Sequence, residues 1–509
     1  MREKLQAIID AKTEDDILDA FDNYLRDFQG INSANNHLIY SNLDSLFSKP
    51  ELHAIKPLDN GKRLGFISVQ VNDNLSEKSG KKSQYDLAKT LLKENERYFD
   101  YGIFLFYDTE CNFRYSLIFN TIQENKRAFN TYKRYTYFVD NTQPNTTFLN
   151  RITPLQYDSL EQIVEAFSVE KVNEEFYRSI ANWFHKLVGA KTAKKDYETL
   201  FTLPSADPET NHKIYQDFAV RLIGRIVFVW FLKFKKDTQG KGLIPDELIS
   251  NTAVQQYPDY YHHILEKVFF EILNKKKRDA VVLETIQEYV DNIPYLNGGL
   301  FEPLLEDYYE VDMMTGYSEY HNTLRIDDGL FTDLFSILEQ YNFTIDENSA
   351  SDIEVSVDPE MLGRIFENLL GEINPETGET ARKSTGSFYT PRSIVEYMVR
   401  QTLLQYLEDK TDIKQSILEE LCYEGAQVQL SEKDILSIIQ ALDELKILDP
   451  ACGSGAYPMG ILQQILIILK NIDSDNSLWL DTMLVHVHRH TTDISTTAPC
   501  GFSGLDQII

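Results

Sequence analysis

The chain has 509 residues, a formal net charge of −29 at pH 7 and a sequence pI of about 4.8. With 42% hydrophobic and 25% charged residues it has the make-up of a folded globular protein rather than a disordered one. The acidity argues against a general nucleic-acid binder, because phosphate contact needs positive charge, and leaves room only for a local basic groove.

The length accommodates about three domains of roughly 150 residues each. No apolar run approaches the ~20 residues of a membrane span. The start, MREKLQAIIDAKTEDDILDAF, mixes acids and bases in an amphipathic pattern and lacks the order of a signal peptide. Cys111, Cys422, Cys452 and Cys500 have neither disulfide-framework nor metal-ligand spacing. A reducing cytoplasm is the expected location.

Residues 1–160 read as a small α/β domain. Leu64–Val71 (LGFISVQV) is apolar and β-branched enough for a strand, and a helical stretch begins at Tyr85. Tyr101–Tyr107 and Phe113–Phe119 read as two strands joined by the polar turn Asp108–Asn112. A metal nuclease would place acids and a lysine on neighbouring strands here. The matching positions are Asp59, Gln70 and Asn72, a poor set for that chemistry.

Residues 161–350 read as a helical connector. Phe176–Leu187 and Phe218–Phe234 carry apolar residues at helical spacing. The second is apolar nearly all round, as a buried core helix is, though Arg221 and Arg225 interrupt it. Pro294–Pro303 (PYLNGGLFEP) reads as a loop. Basic clusters stand at His185–Lys195, Lys233–Lys236 and Lys275–Arg278, each also readable as a solvated helix end.

Residues 351–484 form a third region, in which Ile373–Ser387 reads as a polar loop. Its centre is LKILDPACGSGAY, Leu445–Tyr457. Leu445, Ile447 and Leu448 suit a buried strand, and Asp449 ends it, where α/β sheets place ligand contacts. Pro450 fixes the chain direction, and Ala451, Cys452, Gly453, Ser454 and Gly455 keep the turn small. Met459–Leu469 then suits a helix whose N-terminus favours polar or anionic groups. No Lys-Ser or Lys-Thr follows, which disfavours a nucleotide P-loop. Cys452 reads as a packing residue, since no base stands near it in sequence.

Asp-Pro-Ala-Cys-Gly-Ser-Gly-Ala-Tyr resembles motif I of the S-adenosylmethionine-dependent DNA methyltransferases that modify the amino nitrogen of adenine. Gly386–Val399 (GSFYTPRSIVEYMV) resembles the motif preceding it in the gamma arrangement. Phe167–Leu187, Pro294–Pro303 and Asp358–Leu370 look like segments of type IIG restriction–modification methylases. The resemblance implies an N-terminal α/β domain that is nuclease-like or accessory, a helical connector, and the first part of a Rossmann-like methyltransferase domain. It implies that Asp449, Pro450, Ala451, Cys452, Gly453, Ser454 and Gly455 line the methionine end of S-adenosylmethionine, with Tyr389, Thr390 and Pro391 against the same end. Double-stranded DNA is the implied partner.

The sequence departs from that family's pattern. Adenine methylation there uses an Asn-Pro-Pro-Tyr type motif that grips the flipped base, and no Asn-Pro-Pro occurs here. No catalytic residue is therefore named. Asp473, Asp475 and Asp481 are candidates for a ribose-binding acid by distance alone. The last stretch, residues 485–509, shifts to His, Thr and Ser, loses helical periodicity and contains the triplet His486, His488 and His490. It is expected to be a disordered tail of a truncated chain. The expected alternatives to an active enzyme are an inactive DNA- or partner-binding fragment, and a split enzyme completed by a separate polypeptide.

Overall fold

Alternation with period two organises the first part of the chain. The computed structural model describes residues 1–33, 38–41, 43–75, 80–121, 131–140, 145–189, 198–204, 211–235, 241–279, 282–290, 293–296, 299–344, 352–357, 361, 363, 390, 392–423, 426, 428–450, 452, 455–473 and 475–484. They fall into two units, Met1–Gly386 and Ser387–Ile509. The polar stretch 373–387 and the tail 485–509 lie outside the described residues.

The first unit is mixed α/β. It opens with α1 (Arg2–Ile9) and α2 (Glu14–Leu25), then β1 (Asn32–Ser33), β2 (Phe47–Pro57), β3 (Arg63–Val71), α3 (Lys81–Glu94), β4 (Tyr101–Tyr107), β5 (Phe113–Thr121) and β6 (Thr131–Val139). Helices α4 (Thr146–Ile152), α5 (Leu160–Ala166) and α6 (Val169–Val188), the short β7 (Phe201–Thr202), α7 (His212–Phe234), α8 (Asn251–Gln256) and α9 (Gln287–Val290) follow. The short pairs β8 (Val311–Asp312) with β9 (Tyr317–Ser318), and β10 (Arg325–Ile326) with β7, precede α10 (Asp328–Leu338) and β11 (Asp352–Glu354). One seven-stranded sheet runs in the order β1-β2-β3-β4-β5-β6-β11. Only β3–β4 and β6–β11 are parallel.

On β3, Leu64 and Phe66 enter one core while Ile67, Val69 and Val71 enter another under α3; on β4, Ile103 and Leu105 oppose Phe104 and Phe106 in the same way. Both faces of the sheet are thus covered, which is why these strands read as continuous apolar runs. The larger core extends from Leu5 to Met361, so sheet and helices share it. The expected strand at 64–71, the hairpin between residues 101 and 119, and the helices at 176–187 and 218–234 are all present. Among the described residues no helix is long and apolar enough to cross a membrane.

Arg221 and Arg225 explain themselves in this fold. Arg225 donates to both carboxylate oxygens of Asp307, at 2.9 and 2.7 Å, and to the Leu300 carbonyl at 2.7 Å; Arg221 Nε donates to Asp307 Oδ1 at 3.0 Å. Asp307 is fully buried. Burial works against its charge, but the Arg225 hydrogen bond and charge outweigh it and hold the carboxyl below its ordinary range. The end of the Pro294–Pro303 loop is thereby fastened to α7. Removing one member of such a buried pair costs about 3–5 kcal/mol.

Two π-helical turns, Tyr261–Leu265 and Lys267–Leu273, carry a second buried pair. His262 Nδ1 lies 2.7 Å from Glu266 Oε2, and its Nε2–H donates to the Leu324 carbonyl at 2.9 Å. Burial opposes charge on His262, but the hydrogen bond and charge of Glu266 outweigh it and raise its pKa above the ordinary 6.5. Burial likewise raises that of Glu266. Both shifts are upward, so the folded chain retains protons that the unfolded chain releases. Stability from the pair is full below the ordinary values and is lost as pH rises through the folded ones. The melting temperature is expected to fall as pH climbs above 6.5. Differential scanning calorimetry across that window should show a shallower fall in the double variant His262→Gln, Glu266→Gln.

Candidate functional site

The second unit is built from helices. They are α11 (Arg392–Lys410), α12 (Gln415–Leu421), α13 (Glu432–Asp443) and α14 (Ala456–Ile472). Ser431 caps α13 through a reciprocal hydrogen-bond pair with Asp434. The first halves of α11 and α14 share one apolar cluster, through Val395, Val399, Tyr457 and Ile461. Their second halves share another, through Leu404, Leu407, Ile468 and Leu469. The two helices therefore run in the same direction and start at the same end. Gly460 sits at their contact: a Cβ there would lie 2.7 Å from Val395 Cγ1. The Tyr457 hydroxyl donates to Met398 Sδ at 3.2 Å across the same contact.

Thr390, half-buried, lies two residues before α11, and Gly455 is the N-cap of α14. The structure thus brings Thr390 and the end of the Asp449–Gly455 turn to one end of a helix pair. Gly455 has φ +84°, a left-handed conformation that favours glycine, and among the described residues nothing lies within 4 Å of where its Cβ would be. Its N–H donates to the Cys452 carbonyl at 2.8 Å. Asp449 is half-buried, and Pro450 and Cys452 are exposed. Tyr389, Pro391, Ala451, Gly453 and Ser454 lie outside the described residues.

The expected strand at Leu445–Leu448 is not formed. The segment has no strand partner among the described residues, and Ile447 and Leu448 are 51% and 88% exposed. A strand needs neighbours to satisfy its backbone, and the described residues of this unit contain no strand to pair with. Only Leu445 packs, against the α11–α14 cluster. Asp473 is occupied otherwise than by a ribose: its carboxylate accepts the N–H groups of Leu478 and Trp479 at 3.4 and 2.8 Å. Asp475 accepts from Ser477 N–H, which holds its carboxyl below the ordinary range. His486, His488 and His490 lie outside the described residues.

In the first unit Asp59 and Gln70 do not meet. Asp59 sits in the turn before β3 and Gln70 near its far end, roughly 23 Å along the strand. The neighbours of Gln70 are residues that sequence reasoning missed. Glu14, at the start of α2, accepts from Lys49 Nζ at 2.7 Å, Tyr107 OH at 3.2 Å and Gln70 Nε2 at 3.5 Å. Lys49 reaches it from an irregularity in β2 and has φ +47°, a strained value for a lysine. The only local signal was the sequence Lys49-Pro50 inside a strand-like run. With the acid bound by an ammonium and an amide where a carboxylate is needed, the cluster does not suit metal-assisted cleavage. Among the described residues no group of three or more His, Cys, Asp or Glu could hold a metal ion.

A second constellation has the connectivity of a hydrolase triad. His53 Nε2 lies 2.8 Å from Ser68 Oγ, and His53 Nδ1 lies 2.7 Å from Asp22 Oδ1. The hydrogen bond to His53 holds the Asp22 carboxyl below its ordinary range. Ser68 is completely buried inside the sheet, so no substrate reaches it and the three residues tie α2 to β2 and β3. Of the basic clusters, Lys233 is engaged by the Ile249 carbonyl and Asp246, while Lys275, Lys276 and Lys277 are exposed.

No family profile matches the chain, and no solved structure matches it. A curated protein of Methanocaldococcus jannaschii, provisionally named a type II restriction enzyme and methyltransferase, is 27% identical over 330 residues, 60% of this chain and 26% of that protein. The chain spans about a quarter of the length of this relative.

The contact at Gly460 gives the site a direct structural test. Gly460→Val drives a branched side chain into Val395, and overpacking of this kind costs about 1–3 kcal/mol. A thermal melt of the variant should show a lower transition for this unit, with the first unit unchanged.

Proposed function

We propose that this chain is the cofactor-binding part of a restriction–modification DNA methyltransferase acting on the amino nitrogen of adenine, with S-adenosylmethionine as methyl donor. The observation that carries the reading is the common direction of α11 and α14, which sets Thr390, just before α11, and Gly455, the N-cap of α14, at the same end of the helix pair. The Methanocaldococcus jannaschii relative, named as a restriction enzyme and methyltransferase, supports it.

The residues fit the group. No described residue fills the space beside Gly455, so a ligand can lie against the backbone there. Two helix N-termini at one end favour a carboxylate there. Thr390 carries a hydroxyl that can donate to that carboxylate, and Asp449 a carboxylate that can accept from an amino group. Tyr389, Pro391, Pro450, Ala451, Cys452, Gly453 and Ser454 complete the proposed binding segments. The bound cofactor supplies an electrophilic methyl group. The protein residues orient its amino-acid end and do not themselves activate adenine.

The base-gripping Asn-Pro-Pro-Tyr motif does not occur in residues 1–509, so the reading leaves the grip on adenine to residues outside them. The bare strand-like segment supports this. Leu448 and Ile447 carry apolar surface that neighbouring strands in an α/β sheet would cover. Duplex DNA is the proposed substrate of the assembled enzyme, and the cytoplasm its proposed location.

Isothermal titration with S-adenosylmethionine tests the reading. A dissociation constant of the order of 1 μM is expected. Asp449→Ala should weaken binding by about tenfold, the value of a charge-assisted hydrogen bond, and Gly453→Val should abolish it. Heat-free titration of the intact chain would end the proposal. Tritiated methyl transfer to duplex DNA is expected to be absent from the chain alone.

A further inference from the structure

Positive charge gathers at the amino end of α3. The first turn of this 14-residue helix holds Lys81 and Lys82 and no acid. Cations are unfavourable there, because the helix dipole already makes that end positive. The N-cap is Gly80, which has no side chain to accept from the first N–H groups. Two further cations lie beneath the helix. Arg114 of β5 and Arg134 of β6 are both fully buried. Arg114 Nη1 donates to Gln84 Oε1 at 3.1 Å, and Arg134 Cζ stands 5.7 Å from the centre of the Tyr85 ring. Lys81 pairs with Glu354 of β11 at 2.7 Å, so part of this charge is met inside the fold. Lys82 is exposed.

Gln84 supplies an independent observation. The residue is fully buried, yet its Nε2 has no hydrogen-bond partner. The bond from Arg114 fixes which way the amide faces, because only its oxygen can accept. The unmatched nitrogen is directed at the start of the helix. It lies 3.3 Å from where a Gly80 Cβ would stand. Beyond the chain neighbours of Gly80 and the backbone of α3, no other atom of the described residues comes within 4 Å of that point. Gly80 itself is exposed, with φ +65°. An oxygen that reaches Gly80 from solvent therefore finds the amide nitrogen with no side chain of that residue in the way. A buried donor without an acceptor is destabilising, and such an oxygen relieves it.

We propose that the amino end of α3 binds a phosphate group, with Gln84 Nε2 and the first-turn N–H groups donating to its oxygens and Lys82 adding charge at the rim. Backbone N–H groups, an amide and an ammonium together suit an oxyanion with several oxygens. The phosphate is either free or part of the backbone of duplex DNA. The second source deepens the proposed function and rests on it, since a chain of net charge −29 needs a local positive site to approach DNA.

Calorimetric melting of the full chain tests the site. Inorganic phosphate at about 10 mM should raise the melting temperature, and chloride of equal ionic strength should not. Gln84→Glu keeps an acceptor for Arg114 and sets a carboxylate oxygen towards Gly80, so it should abolish the rise. Lys82→Glu, at an exposed position, should diminish it and serves if the first variant does not fold. Fluorescence anisotropy with a labelled duplex oligonucleotide then separates the sources. Duplex binding that phosphate competes away, and that both variants weaken by about tenfold, assigns the site to backbone phosphate. A phosphate-dependent rise with duplex binding absent, or indifferent to both variants, assigns it to free phosphate. The proposal is overturned by a chain indifferent to phosphate whose duplex affinity is also unmoved by the variants. A phosphate effect undiminished in both variants overturns it equally. Titration of the same variants with S-adenosylmethionine should be unchanged, which keeps a failure of this site distinct from a failure of the proposed function.

Discussion

The missing side chain at Gly460 is the constraint on which the second unit depends. It lets α14 approach α11 until Val395 fills the space that a Cβ would take. The first halves and the second halves of the two helices then join separate apolar clusters, which fixes their common direction. Common direction is what brings two helix N-termini, and the chain segments entering them, to one end. Helices packed in opposite senses would have put Thr390 and Gly455 at opposite ends of the pair.

The two units differ in how they treat apolar surface. In the first, both faces of the seven-stranded sheet are covered, by α3 on one side and by the large helical core on the other. In the second, Met459, Leu462 and Leu466 of α14 are 40–54% exposed, as are Ile394, Tyr397 and Met398 of α11 at 47–63%. Water makes such a surface unfavourable by roughly 25 cal/mol for each Å² left uncovered. The same contrast separates the strands that formed from the one that did not. β3 and β4 pair along their length, while Leu445–Leu448 has comparable apolar content and no partner.

Much of the first unit was legible in the sequence because its signals are local. Tyr101–Tyr107 and Phe113–Phe119 announce strands by composition and a hairpin by the turn between them. The helix ending at Phe234 announces burial by being apolar all round. What was not legible depends on long-range pairing. The sheet joins β11 to β6 across more than two hundred residues, which no periodicity reveals. Arg221 and Arg225 read as interruptions until Asp307, 86 and 82 residues away, was placed against them. Lys49 and Glu14 are equally distant in chemistry from any motif, and only the bend in β2 unites them. For the candidate site, sequence order located the turn and the helix after it. It misjudged the strand before it, because strand propensity at Leu445–Leu448 is a statement about neighbours as much as about residues.

The trio of Ser68, His53 and Asp22, whose serine is fully buried, has a consequence for how function is assigned from shape. A search that matches three side chains by separation and type will retrieve this protein among serine hydrolases. The hydroxyl there is sealed beneath a β-sheet, and its neighbours serve as mortar between a helix and two strands. Access by solvent, and not the spacing of donor and acceptor atoms, is what divides a reactive centre from a masonry joint.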